Sequence, residues 1–224
     1  MNQRTEQILY LNKRFYQSVG KDFSISRQKE WHGWDRAVQV AKDHLKEPMR
    51  KNEPKILDLG CGNGRFLKFI IKRIPKFYYK GYDINNDFLR EAKINSKSTN
   101  KIKVRFIKKD ILKNIFDIKS KFDLIVSFGF THHIPDHKFR KNWFTHLPKI
   151  LKKDGVLVLT FWNFANKSGD YLVSWKSENI ARYCHQYSKK ELNTIINMYK
   201  KSGLRLIDKY EADNKNIYLI FGKI

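Results

Sequence analysis

The stretch "KILDLGCGNGRFLKFIIKRI", residues 55–74, decides the fold. It reads as a short apolar strand, a glycine-rich turn and a helix whose Phe66, Leu67, Phe69, Ile70 and Ile71 face a core. Glycines at 60, 62 and 64 let the backbone turn tightly and approach a ligand that side chains would exclude. The alternation continues outward through the strand "KFYYKGYDI", a helix over "NDFLREAKINS", the strands "VRFIKKDI" and "FDLIVSFGF", a helix over "FRKNWFTHLPKILKKDG" and the strand "VLVLTFWNF". Such a series predicts a doubly wound, mostly parallel α/β sheet with helices on both faces. After Asn163 comes a polar segment, then a helix over "KKELNTIINMYKKSG". The last strands, "LRLIDKYEAD" and "NIYLIFGKI", are joined so tightly by "NKN" that they must be antiparallel. A seven-stranded sheet closed by an antiparallel C-terminal hairpin is expected, preceded by a helical leader with the aromatic-rich stretch "FYQSVGKDFSISRQKEWHGW".

No Pro/Gly/Ser-rich linker, internal repeat or low-complexity tract divides the chain, so 1–224 is read as one domain. Within it, 1–50 is a helical cap, 51–163 a cofactor-binding core, and 164–224 a substrate-side segment with the C-terminal hairpin. An aromatic content of 14% excludes a disordered polymer. The start lacks an apolar signal region and no window is long enough to span a membrane, so neither secretion nor insertion is expected. Two cysteines, Cys61 and Cys184, stand outside any CxxC pair, which fits a cytoplasmic protein. Charge is the strongest compositional signal: 46 basic against 22 acidic residues gives +24. That balance predicts a polyanionic partner, nucleic acid before membrane, although an AT-rich genome also inflates lysine.

Beyond the turn, Asp83 ends the second strand, 19 residues past Gly64. A carboxylate there can accept both ribose hydroxyls of an adenosyl ligand. Asp58 lies just before the glycine-rich turn, and Asp110-Ile111 follow the third strand, where an adenine ring could rest.

"ILDLGCGNG" with "GYDI" and "KKDI" resembles the class I methyltransferases, whose fold is Rossmann-like and whose cofactor is S-adenosylmethionine. The resemblance implies a cofactor site of Tyr16, Arg27, Asp58, Gly60, Cys61, Gly62, Asp83, Ile84, Asp110, Ile111 and Ser127, with Asp58 near the methionyl amino group. A dinucleotide dehydrogenase would carry G-x-G-x-x-G without the Asp58 element and put a helix N-terminus on a pyrophosphate.

The acceptor belongs at the carboxyl ends of the central strands, where "FTHHIPDH", residues 130–137, follows the fourth strand. Three histidines and an aspartate there suggest metal ligands. Adjacent histidines seldom reach one ion, however, and no other ligand cluster completes a site, so no metal is expected. Asp136 is read as the N-cap of the next helix. The loop lacks the [DN]PP[YF] of many N-methyltransferases, and Cys61 and Cys184 are poorly placed to attack a pyrimidine ring. Three dispersed segments resemble the tRNA wobble-uridine (carboxymethyluridine) methyltransferases: Phe23, Ser24, Arg27 and Trp31 in the leader, His132 and His133, then Arg182, Tyr183, His185 and Tyr187. The family's second tyrosine in the last segment is Cys184 here, and the glycine commonly preceding E-L is Lys190.

This resemblance implies tRNA, through its anticodon loop, as substrate and, in several relatives, a small zinc-binding activator subunit. A carboxylate acceptor is ionised at neutral pH and needs orientation rather than a base. Arg27 and Arg182 are the candidates to grip carboxylates. Arg27 and Tyr16 are expected over the methionyl end, and Arg182, Tyr183 and His185 at the uridine. His133 is expected to line the acceptor pocket while His132 holds the loop; the opposite assignment stays open. Trp162, Tyr183 and Tyr187 could stack on an extruded base. Lys97 to Lys121, with Lys13, Arg14 and Lys29, would meet phosphates. Two other readings stay open: a small-molecule O- or carboxyl-methyltransferase, and a non-catalytic RNA-binding module.

Overall fold

The computed structural model describes residues 2–45, 53–96, 99–176 and 180–224. Strands β1 (Lys55–Leu59), β2 (Phe77–Asp83), β3 (Ile102–Lys108), β4 (Phe122–Ser127), β5 (Leu151–Trp162), β8 (Leu204–Ala212) and β9 (Asn216–Lys223) form one sheet in the order β3-β2-β1-β4-β5-β9-β8. The first five run parallel, whereas β9 is antiparallel to both β5 and β8. This is the doubly wound architecture with an antiparallel C-terminal hairpin. Strand alternation divides the core. Ile56 of β1 packs with Trp34, Phe66 and Phe69 on one face, and Leu57 and Leu59 pack with Trp143 and Leu147 on the other. The first face is covered by α2 (Gly33–His44), α3 (Arg65–Ile71) and α4 (Asn86–Ile94), the second by α5 (His137–Ile150) and α6 (Lys189–Lys201).

Two elements depart from the sequence reading. The polar stretch after Asn163 contains two strands, β6 (Gly169–Ser174) and β7 (Ala181–Gln186), paired antiparallel as a separate small sheet. Its alternation of half-buried and exposed residues on β6, with no continuous apolar run, gives little strand signal. The helix expected to reach Gly155 ends at Ile150, with Pro148 in its last turn. Leu151 already pairs with Phe122, and the register resumes at Val156 with Leu124 after an irregularity where Asp154 has φ 57°.

The leader is α1 (Gln3–Ser26), started by the Asn2 side chain accepting from Thr5 N. Three of its six buried residues are polar: Thr5, Asn12 and Ser24. It is therefore fastened largely by hydrogen bonds, from Thr5 to Asp136 at 2.5 Å, from Tyr183 N to Asn12 Oδ1 at 2.7 Å, and from Ser24 to Glu91. These attachments lay α1 across the carboxyl ends of the strands, from the acceptor side to the glycine-rich turn.

Candidate active site

A cavity of roughly 300 Å³ opens where α1 crosses the ends of β1, β2 and β4. Gly60 sits at φ 80°, and a Cβ there would come within 2.7 Å of the Phe130 ring. Gly62 has φ 52° and faces open space. The turn is thus built for close backbone approach on the cavity side. Asp83 Oδ2 accepts from Gly62 N at 2.9 Å, and its Oδ1 accepts from Asn85 N at 2.8 Å. These bonds set the carboxylate at the rim while burial raises its pKa. Asp58, 2% exposed, accepts from the Tyr79 hydroxyl at 2.6 Å, and burial pushes its carboxyl up to about 7. Asp110 accepts from Leu112 N and Lys113 N, turning the chain so that Ile111 also reaches the cavity wall. Cys61 and Ile84 complete this side. Ser127 does not: it is fully buried and its hydroxyl donates to Leu59 O at 3.0 Å, joining β4 to β1.

The acceptor side combines the Thr131–His133 3-10 turn, β7 and α1. Arg182 lines the cavity, 4% exposed, with its guanidinium 4.9 Å from the Phe15 ring centre and 5.8 Å from Phe23 and Trp162. Its Nε and Nη1 have no hydrogen-bond partner. Arg27 lies over the Phe23 ring at 5.1 Å, and burial, then Arg182, lowers its pKa. No carboxylate pairs with Arg27 or Arg182 among the described residues. Arg65, unmarked by any sequence motif, also lines the cavity and stacks on Trp31 and Trp34, each at 5.2 Å.

Strand alternation separates residues that the sequence reading grouped. Arg182 and Cys184 face the cavity side, whereas Tyr183 and His185 turn away. Tyr183 donates its hydroxyl to Asp170 Oδ1 at 2.7 Å, and His185 meets Asp170 at 2.7 Å and Glu191 at 2.9 Å. These two side chains anchor β7 to β6 and α6 and do not line the cavity. Tyr187 is likewise core: 5% exposed, it donates to Thr131 O at 3.0 Å. Trp162 does line the cavity, with His132 5.4 Å away.

For the two histidines the sequence reading left either assignment open. Both reach the wall, but His133 has both nitrogens engaged, Nε2 with Tyr16 at 2.7 Å and Nδ1 with Tyr183 O at 3.0 Å. His132 Nδ1 is buried without a partner. Burial first keeps both rings neutral, followed by His133 and then Arg182 for His132 and by Arg182 for His133, which is pushed down to about 3. His132, His133 and Cys184 offer ligand-type atoms within 4.8 Å of one another. Arg182 stands beside them and His133 has no free nitrogen, so the electrostatics oppose a cation there. Burial raises both thiols, Cys184 to about 11, which leaves neither as a nucleophilic thiolate.

Residues 50–208 match the family model described as a methyltransferase domain. The chain belongs to that family. A putative methyltransferase of Encephalitozoon cuniculi is 24% identical over 94% of both chains. The tRNA (carboxymethyluridine(34)-5-O)-methyltransferase of Arabidopsis thaliana is 25% identical over 72% of this chain, which spans 35% of that protein. Among solved structures, the 1,6-didemethyltoxoflavin-N1-methyltransferase of Burkholderia thailandensis, with bound S-adenosylhomocysteine, superposes with a TM-score of 0.70. It is 14% identical, covers 100% of this chain and 91% of its own, and shows the fold. The cofactor is S-adenosylmethionine, and the carboxyls of Asp83 and Asp58 and the glycine turn line the cavity that would hold it. No helix among the described residues is long and apolar enough to cross a membrane.

Proposed function

We propose that this methyltransferase esterifies an anionic carboxylate, that of wobble carboxymethyluridine in tRNA, with S-adenosylmethionine as methyl donor. The observation that carries this reading is Arg182, a buried guanidinium on the cavity wall whose Nε and Nη1 have no hydrogen-bond partner. An unpaired buried charge is costly, and an incoming carboxylate would compensate it in bidentate fashion. The cofactor, when bound, supplies an electrophilic methyl on a positive sulfur. Arg182 would orient the carboxylate, Trp162 and His132 would flank the base, and α1 would exclude water. No general base is required of the neutral histidines, because the acceptor is already ionised. The net charge of +24 and the three family-like segments support RNA as the carrier of that carboxylate.

A second reading, a small-molecule carboxyl methyltransferase, is favoured by the modest size of the cavity, roughly 300 Å³. Incubation with labelled cofactor and tRNA from a strain lacking the endogenous enzyme, with and without a small zinc-binding activator protein, separates the two. Label in the methyl ester of carboxymethyluridine after nucleoside digestion is expected. Its absence in both arms would sink the tRNA reading.

A further inference from the structure

We propose that His133 is a positioning residue: it holds the Tyr16 hydroxyl with its hydrogen turned away from the cavity, so that this wall offers lone pairs to a cation. The inference rests on the cavity's being the S-adenosylmethionine site. It gives the chain a means of distinguishing that positively charged cofactor from its neutral demethylated product.

The direction of each hydrogen bond follows from what the atoms can do. Asn12 pins the Tyr183 peptide, accepting from its N–H at 2.7 Å and donating to its carbonyl at 3.3 Å. That carbonyl can only accept and lies 3.0 Å from His133 Nδ1. The Asn12 amide nitrogen, a competing donor, is farther from Nδ1 at 3.4 Å and is committed to the same carbonyl, so Nδ1 carries a hydrogen. The ring is 5% exposed and neutral, held so by burial and by Arg182. Its Nε2 therefore has a lone pair and no hydrogen, and the contact at 2.7 Å must be donated by Tyr16. Burial raises the Tyr16 pKa far above its ordinary value, so the phenol stays protonated and its hydrogen stays committed. The hydroxyl oxygen is left with acceptor capacity alone.

Its location gives this polarity a use. Tyr16 lines the cavity and lies within electrostatic reach of both Asp83 on the cofactor side and Arg182 on the acceptor side. Asn85 Nδ2 donates to its main-chain carbonyl at 2.8 Å, and Phe88 and His133 pack edge-on against its ring at 6.1 and 5.4 Å. The side chain is thus fixed at the junction of the two subsites. Lone pairs there favour the polarised C–H groups beside a sulfonium and gain far less from those beside a neutral thioether. They also turn an acceptor's carboxylate oxygens toward Arg182.

Calorimetric titration of the whole chain with S-adenosylmethionine and, separately, S-adenosylhomocysteine tests this without turnover. Tyr16→Phe should lower affinity for the charged ligand about two- to fivefold and leave affinity for the neutral one unchanged. His133→Phe should do the same, and the double variant should lose no more than either single one. Equal losses for both ligands in Tyr16→Phe would mean a merely structural role and overturn the proposal. An unchanged ratio in His133→Phe would do so too; if that variant does not fold, Tyr16→Phe decides alone. Should the wild-type chain bind neither ligand, the cofactor reading falls and the inference with it.

Discussion

Asp58 and His133 illustrate how one buried site pulls stability in two directions. The folded Asp58 carboxyl is pushed up to about 7, chiefly by burial, so between about pH 4 and 7 the native state holds a proton that the unfolded chain has lost. Its contribution makes stability fall as pH rises, by up to about 1.4 kcal/mol per pH unit. His133 acts oppositely: below about 6.5 the unfolded imidazole takes a proton that the native ring refuses until about 3. Its contribution makes stability rise with pH across that window. Urea melts at a series of pH values should therefore climb more steeply from pH 4 to 6.5 in Asp58→Asn, and flatten in His133→Phe. If a cofactor ammonium sits beside Asp58, binding at pH 6 should release close to one proton. Calorimetry in buffers of different ionisation enthalpy reads this directly, and Asp58→Asn should abolish it.

At the scale of elements, β7 and α1 decide what reaches the cavity. "RYCHQY" reads in sequence as one functional cluster, yet a strand shows alternate residues to opposite faces. Arg182 enters the site while Tyr183 and His185 bind Asp170 and Glu191. Arg182→Gln is expected to lower kcat/KM for a carboxylate acceptor roughly 10²-fold. Tyr183→Phe should instead cost about 1 kcal/mol of stability and leave KM unchanged. Equal kinetic damage from both would refute this division of β7. Helix α1 depends on polar fastenings, so Asn12→Ala, which strips the Tyr183 peptide of two partners, should cost about 1–3 kcal/mol in a denaturant melt. The lysine tract has a double reading at this scale. Lys97 lies outside the described residues, but Lys103, Arg105 and Lys108 are exposed on β3, an edge strand where charge also guards against pairing with other chains.

For the molecule as a whole, the excess of positive charge makes a testable claim about its partner. Binding to tRNA should weaken steeply between about 50 and 200 mM salt as neutralised phosphates regain counterions. A flat profile in filter binding would favour a small acceptor. The strand-turn-helix of residues 55–74 by itself determined the fold, because glycine spacing and apolar periodicity are local properties that the chain cannot express otherwise. With the second strand it also pointed to Asp58, Gly60, Gly62 and Asp83, which line one cavity, since strand ends in a doubly wound sheet converge on one crevice. Only the tertiary structure decided the acceptor side. Whether His132 or His133 is free, whether Ser127 reaches the cavity, and that Arg65 lines it depend on which face of a strand or turn meets which neighbour. Those contacts join residues far apart in the chain, Asn12 with Tyr183 and Tyr16 with His133, and no local pattern encodes them.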